Sequence, residues 1–425
     1  MIGSPLVIAE KARARLQAIL SGQVDAAESI EEVDLSSMPD STDLVITACE
    51  VNSLHGTGTL LLRIFPDQRS IISLRAEDFY DGVTDFGCVR LRLPLAQAAR
   101  PVILAWLKSS MAGVNVRRIL CVPYTPAEAT LALAAQDLLG APMGVYVMDD
   151  KNVCADGISD SLMRELLERS MLRLVIGPEM REAYEEKYGM PFWVMPPVVA
   201  DHIIKREAAP PAPGIDLRRG VLLGNIWGQR WLDMLRQIFR GAGVTIDWYC
   251  NQINPPGLEY DRDELAADGI VQRNPIAEDD LPKVLGEYAF AVVPTDTLDG
   301  LSPLAVRAIA ELSLPSRMVT MMATSHLPML VVGSPATCAA GFVERFDLGA
   351  VTPYHRAAVL ASIEALTTTD RQADVRARAA RLSGCFTAAG ASDWIWRSLD
   401  AGRPITSMYE DLMPRRCANA PVAQS

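Results

Sequence analysis

Short apolar runs, each closed by a turn residue and followed by a stretch of helical spacing, recur along this chain in two series, and that alternation most narrows its fold. In the first series the pattern predicts strands over 43–48, 70–74, 118–122, 144–148 and 172–176. Helices are predicted over 95–110, over 126–139 and from Gly177-Pro178 through Tyr184, and an apolar run over 192–195 ends at Pro196-Pro197. In the second series strands are predicted over 221–225, 244–249, 270–271, 289–293 and 327–332, with helices over 231–239 and 281–285. Two further helices open at Leu314-Pro315-Ser316-Arg317 and at Gly333-Ser334-Pro335-Ala336-Thr337. Consecutive parallel strands need long crossovers, so this alternation predicts an α/β chain with mostly parallel sheets and helices on both faces.

Between the series, residues 200–218 turn to charge and to Pro210, Pro211, Pro213 and Gly214, which is linker composition. A length of 425 residues also exceeds one ordinary core. The predicted organisation is a helical extension over 1–40, carrying Leu16, Ile19 and Leu20, then an α/β domain over 41–199, the linker over 200–218 and a second α/β domain over 219–385. A helical tail over 386–413 holds Trp394, Ile395, Trp396, Leu399, Tyr409, Leu412 and Met413, which need a surface to cover, so it is expected to pack back across both halves; 414–425 is expected to be disordered. Two such halves are expected to face each other across a cleft, where ligands usually bind.

Hydrophobic residues at 49% supply ample core material, and a net charge of −12 sets the overall field against a nucleic-acid groove or an anionic membrane. The eight cysteines are scattered without a Cys-x-x-Cys pair and there are four histidines, which argues against structural zinc and suits reduced thiols in a cytoplasmic protein. No basic-then-apolar leader and no membrane-length apolar run is present, so membrane contact is expected to be peripheral at most.

The chemistry concentrates in the stretch 288–342. The strand at 289–293 ends at Pro294, and two fresh helix starts, at Ser316-Arg317 and at Ser334 to Thr337, stand beside strand ends. Helix N-termini offer unpaired backbone N–H groups and a positive dipole end, and the Arg317 guanidinium can grip phosphate oxygens in two-pronged fashion. This stretch reads as a diphosphate-binding wall. In the first half, the strand at 43–48 runs into Asn52-Ser53-Leu54-His55-Gly56-Thr57-Gly58-Thr59, whose Gly56 and Gly58 allow a ligand to approach the backbone. The third glycine of the dinucleotide fingerprint is missing, and Asp78, at about the right distance for a ribose contact, lies in a charged loop, so a nicotinamide cofactor is disfavoured.

His55 reads either as a catalytic base or ligand-bonding imidazole, or as a helix cap. Asp149-Asp150 ends a strong strand, where carboxylates can orient an acceptor hydroxyl; neighbours on a strand point to opposite faces, so the pair makes a poor metal site. Asp261-Arg262-Asp263 reads as a solvated loop, and Thr337 serves either a ligand or a helix start. Tyr124, Thr125 and Glu128 suit acceptor contact and helix capping equally. Arg63 and Arg75 face either an anionic ligand or a salt-bridge partner. His326 reads as structural.

With these pieces in place, the chain from about 43 to 413 resembles the glycosyltransferases built of two Rossmann-like domains, the GT-B type, and among them the family 4 sugar-nucleotide transferases of bacterial polysaccharide synthesis. The resemblance is carried by 52–63, by Val145 to Asp150, by Gly224-Asn225-Ile226-Trp227, by Pro315-Ser316-Arg317, by Ser334 to Thr337 and by the aromatic tail. It implies that the second half binds a nucleotide diphosphate sugar through Gly224, Asn225, Arg230, Ser316, Arg317, Ser334 and Thr337. The first half then receives a hydroxyl acceptor near Gly56, Gly58, Asp149 and Asp150. His55, Arg317 and Asp299 become the catalytic candidates, with no metal or other cofactor required. Many members carry two glutamates eight positions apart; here Asp299 stands for the first, and Arg307 takes the register of the second. Two other readings stay open: a sugar-nucleotide epimerase or hydrolase on the same fold, and a scaffold that binds sugar nucleotides without chemistry.

Overall fold

The structure is a computed structural model that describes residues 30–31, 40–80, 82–94, 96–208, 211, 213–250 and 258–415. The leading helix expected within 1–40, the expected helix start at Leu95 and the end of the chain beyond 415 lie outside the described residues. The chain divides into two compact units. One holds 1–152, 156–174 and 393–405; the other holds 153–155, 175–392 and 406–425.

The first sheet contains β1 (Ile30–Glu31), β2 (Thr42–Thr47), β3 (Ile71–Arg75), β4 (Val89–Arg92), β5 (Val116–Cys121), β6 (Met143–Val147), β7 (Leu172–Val175) and β8 (Trp193–Val194), in the order β1-β4-β3-β2-β5-β6-β7-β8. Its central ladders β4-β3-β2-β5-β6 are parallel, and β1 joins β4 antiparallel. β2 is buried along its whole length, which is why it reads as a continuous apolar run. Leu44, Ile46, Ile72, Ile119 and Tyr146 have no exposed surface, and complete burial of such a side chain contributes about 1.5–3 kcal/mol before entropy is charged against it. Helix Pro126–Leu139 spans the predicted residues; Thr125 and Glu128 form a capping box at its start and Gly140 closes it at φ 64°.

The second sheet contains β9 (Arg219–Leu223), β10 (Thr245–Tyr249), β11 (Ile270–Arg273), β12 (Phe290–Pro294), β13 (Met329–Val332) and β14 (Gly349–Thr352), all parallel, in the order β11-β10-β9-β12-β13-β14. Leu222, Trp231, Leu235, Trp248, Phe290 and Leu330 belong to the core that packs one face of this sheet. Helix Thr369–Ser383 is fastened to the sheet by polar side chains. Arg376 donates to the carbonyls of Ser325 at 3.0 Å and Tyr288 at 3.3 Å, and Gln372 donates to the carbonyl of Ala289 at 2.8 Å.

Several elements were not predicted: β4, β14 and the helices Asp160–Glu168, Leu304–Leu312, Arg356–Leu366 and Thr369–Ser383. The triplet Asp261-Arg262-Asp263, expected in a solvated loop, opens a short helix instead, with the Asp261 carboxylate accepting from Asp263 and Glu264 N–H groups at 2.9 and 3.0 Å. The aromatic tail forms helices Ala391–Ala401 and Met408–Leu412. Residues 393–405 return to the first unit, where the Trp396 ring lies 5.4 Å from Phe65 and takes the Arg118 guanidinium over its face at 4.9 Å.

Candidate active site

In the second unit the candidate residues gather at the C-terminal ends of the parallel strands. β9 runs straight into Gly224, which adopts φ 83°, a left-handed conformation that a side chain would strain. Its N–H donates to the Tyr249 carbonyl at 2.8 Å, and its carbonyl accepts the Trp248 indole N–H at 2.7 Å. A Cβ here would meet Arg317 Nη1 at 3.4 Å, so the turn and the guanidinium lie against each other.

Arg317 sits in the first turn of helix Ser316–Ser325, whose cap residue Pro315 offers no side-chain acceptor. Its Nη1 donates to the Asn225 carbonyl at 2.5 Å, while its Nε is buried and has no hydrogen-bond partner. Burial pulls the Arg317 pKa down to about 10, with the nearby Tyr354 phenol acting in the opposite direction. A desolvated guanidinium with an idle donor beside an uncapped helix start is an arrangement that an anion completes.

A second cation stands nearby. Arg230 opens helix Gln229–Phe239 and donates from Nη1 to Thr297 Oγ1 and to Asp299 Oδ1, each at 2.9 Å, and from Nη2 to Asp299 Oδ2. This pairing, with the Leu301 N–H as a further donor, lowers the Asp299 carboxyl to about 2. Behind them, fully buried Asp296 accepts the Trp231 indole at 3.1 Å and the Leu298 N–H at 2.6 Å. Tyr354 donates to the Thr295 carbonyl at 2.9 Å, and burial raises its phenol well above its usual range; Asp296, Arg230 and Arg317 all act on it electrostatically. Tyr354, Thr297 and Asp296 were not singled out from the sequence. Their usable signal is position, since each follows a strand at the edge where ligands of such sheets bind.

Ser334 joins the same edge through its N–H, which donates to the Asp296 carbonyl at 2.8 Å. Thr337 is fully buried as the cap of helix Cys338–Phe346; its hydroxyl donates to the Ser334 carbonyl at 2.9 Å and accepts the Ala340 N–H at 3.4 Å. Its side chain is therefore committed to the helix start.

In the first unit, His55 caps helix Gly56–Ile64. Its Nδ1 accepts the Gly58 N–H at 3.3 Å and its Nε2 donates to the Glu50 carbonyl at 2.7 Å, while the ring stacks on Tyr80 at 4.7 Å. Both nitrogens are engaged in the neutral form, and burial lowers the His55 pKa. A Cβ on Gly58 would lie 2.1 Å from the Asn52 carbonyl oxygen, so the room that this glycine provides is filled by the chain's own loop rather than left for a ligand. Asp150 is buried and accepts the Asn152 N–H at 3.0 Å. Asp149 is partly exposed and acts electrostatically on the Tyr124 phenol, which bonds the Thr57 hydroxyl and lies beneath the Lys151 ammonium at 5.5 Å. Of the four acceptor candidates, Asp149 is thus the one whose side chain meets other polar groups at a partly open position. Glu128 accepts from the Tyr124 and Thr125 N–H groups and from the Thr125 hydroxyl, and Arg75 pairs with Asp78 at 2.7 Å. These are structural ties. His326 is likewise a buried helix end at φ 56°, with Nε2 bonded to the Lys205 carbonyl.

No protein-family model matches the chain, and no curated protein matches it in sequence. Solved structures do. Sucrose-phosphate synthase from Thermosynechococcus elongatus superposes with a TM-score of 0.62 at 11% identity, covering 85% of this chain and 99% of that one. Anabaena HepE in complex with UDP-glucose gives 0.59 at 14% identity, covering 85% and 99%. UDP-N-acetylglucosamine 2-epimerase from Rickettsia bellii gives 0.51 at 11%, covering 85% and 96%. With two parallel-sheet α/β units and a C-terminal segment that rejoins the first, this chain has the GT-B fold.

Proposed function

We propose that this chain is a glycosyltransferase that moves a sugar from a nucleotide diphosphate donor, held by the second unit, to a hydroxyl acceptor held by the first. The observation that carries the reading is Arg317, a desolvated guanidinium with an unused Nε donor at an uncapped helix start beside the Gly224 turn. As the bond from the sugar's anomeric carbon to the diphosphate breaks, negative charge collects on the departing phosphate. Arg317, Arg230 and the first N–H groups of helix Ser316–Ser325 then interact more strongly with the product-like state than with the bound donor, which is the requirement for lowering a barrier. These groups supply the positive charge, and the reading assigns no metal ion a role. The fold's occurrence in HepE solved with UDP and with UDP-glucose supports this choice of donor.

In the first unit, Asp149 with Tyr124 and Thr57 is the arrangement best suited to orient an acceptor hydroxyl. His55 could serve as a base only by giving up its cap bond, because its one free lone pair already receives the Gly58 N–H. Asp149 is therefore preferred for that contact. Among the described residues no helix is long and apolar enough to cross a membrane, and Cys49, Cys88, Cys121, Cys250 and Cys385 are free thiols, which supports action in a reducing cytoplasm.

The test is binding of UDP, GDP, ADP and CMP and their sugar conjugates by thermal shift and calorimetry, followed by sugar transfer. One nucleoside diphosphate is expected to stabilise the protein by mass action. Arg317→Met is expected to weaken that nucleotide about tenfold or more, the worth of a charge-assisted hydrogen bond or two, while the ligand-free melting temperature stays level or rises because a poorly solvated charge has been removed. Equal nucleotide affinity in the variant would remove Arg317 from the site. A second reading, epimerisation or hydrolysis of the sugar nucleotide, is favoured by the fold shared with the 2-epimerase; product formed without any acceptor would select it.

A further inference from the structure

The Arg230 guanidinium is largely occupied before any ligand arrives. Of its five N–H donors, three are in use: two on Nη1, to Thr297 and Asp299, and one on Nη2, to the second oxygen of Asp299. Thr297 and Asp299 thus share one nitrogen of the guanidinium. A phosphate that takes the same two-pronged face of the guanidinium has to displace the Asp299 carboxylate, because the geometry that suits one oxyanion pair suits the other. The pair is also exchangeable, since the Arg230 and Asp299 side chains are 32% and 38% exposed.

The segment that carries Asp299 is held in an uncommon shape. Leu298 adopts φ 56° and Gly300 φ 83°, and the left-handed region costs a branched side chain roughly 1–2 kcal/mol. Two short ties keep it there: the Leu298 N–H to Asp296 Oδ1 at 2.6 Å and the Leu301 N–H to Asp299 Oδ1 at 3.0 Å. At its tip Leu301 is 74% exposed. One end of this segment is thus fixed through buried Asp296, and the other through an ion pair that an anion can break.

We propose that Asp299 acts through Arg230 as a built-in competitor for the donor diphosphate, setting nucleotide affinity and holding the 297–301 segment until phosphate takes its place. The inference rests on the donor-site reading given above, and it replaces a direct role for Asp299 at the transferred sugar with an affinity-setting one. Donor binding then frees the Asp299 carboxylate from Arg230, so the segment that follows β12 is released from that anchor only when the diphosphate is in place.

Calorimetry at fixed ionic strength, with UDP, GDP, ADP and inorganic pyrophosphate as probes, tests this on the wild type, Asp299→Asn, Arg230→Met and the double variant. Asp299→Asn keeps the side-chain shape and removes the competing charge. Affinity is expected to rise about two- to fivefold, the range of one exposed ion pair, and the gain is expected to vanish when Arg230 is also replaced. Hydrogen exchange at 297–301 is expected to quicken when ligand binds the wild type, and to be quick already in ligand-free Asp299→Asn. Equal or weaker binding by Asp299→Asn, at an unchanged melting temperature, overturns the inference and returns Asp299 to a positioning or substrate-contacting role. Wild type that binds pyrophosphate and no nucleotide refutes the donor reading, while the pyrophosphate affinities still decide the competition. Wild type that binds neither overturns both.

Discussion

A histidine that accepts a backbone N–H is a pH-sensitive cap. His55 receives the Gly58 N–H on Nδ1, and burial holds its pKa below the ordinary value. In the unfolded chain the same ring takes up its proton near pH 6.5. The unfolded state therefore binds more protons once the pH falls below that value, and stability is lost from there down to the lower folded pKa. Chemical denaturation between pH 5 and 7.5 is expected to show this decline. In His55→Asn, which can still cap, the pH-dependent part is expected to be smaller; an unchanged slope would mean that another group titrates. The residue scale also shows what the sequence withheld. Arg317 was legible because Pro-Ser-Arg opens a helix just ahead of the buried run that forms β13. Tyr354 and Thr297 were not, because their importance arises from which strand ends the sheet order brings side by side.

At the scale of elements, continuous burial made β2, β12 and β13 readable, since strands covered on both faces are apolar throughout. β4 reads Val-Arg-Leu-Arg, with its arginines only partly buried, and so carries half that signal over four residues. Helix Leu304–Leu312 escaped notice behind the Gly300 and Pro303 turn, where the local composition says loop. The helix after β2 was placed correctly, but its glycines were credited with room for a ligand. Gly58→Ala separates the two explanations. Alanine favours a helix by up to about 1 kcal/mol over glycine, yet the added methyl would overlap the Asn52 backbone, which gives 2.1 and 2.7 Å approaches to its oxygen and nitrogen. A net destabilisation of roughly 1–3 kcal/mol is expected from the overpacking, with little change in nucleotide binding, since the site proposed for it lies in the other unit. A stabilised variant would show that the loop yields freely.

Across the whole molecule, two α/β units were legible from the alternation alone, whereas the assignment of single segments to units was not. Residues 153–155 count with the second unit although both neighbours in sequence count with the first. The tail shows the same interleaving. Trp396 is 8% exposed against Phe65 and Arg118, Asp400 pairs with Arg118 at 3.2 Å, and Leu399 reaches to 3.4 Å from where a Cβ on Gly144 would lie. Trp396→Ala is expected to cost about 3–5 kcal/mol, and the lost hydrogen-exchange protection is expected in helix Gly56–Ile64 and β5, far upstream in the sequence. Protection lost only within the tail would show that the first unit stands without it. If the first unit does depend on the tail, it cannot be finished when its own strands leave the ribosome: it waits with an uncovered apolar patch beside Phe65 while the whole second unit is synthesised. A chain cut short anywhere before Trp396 then marks itself as incomplete at its opposite end, in the part that was made first.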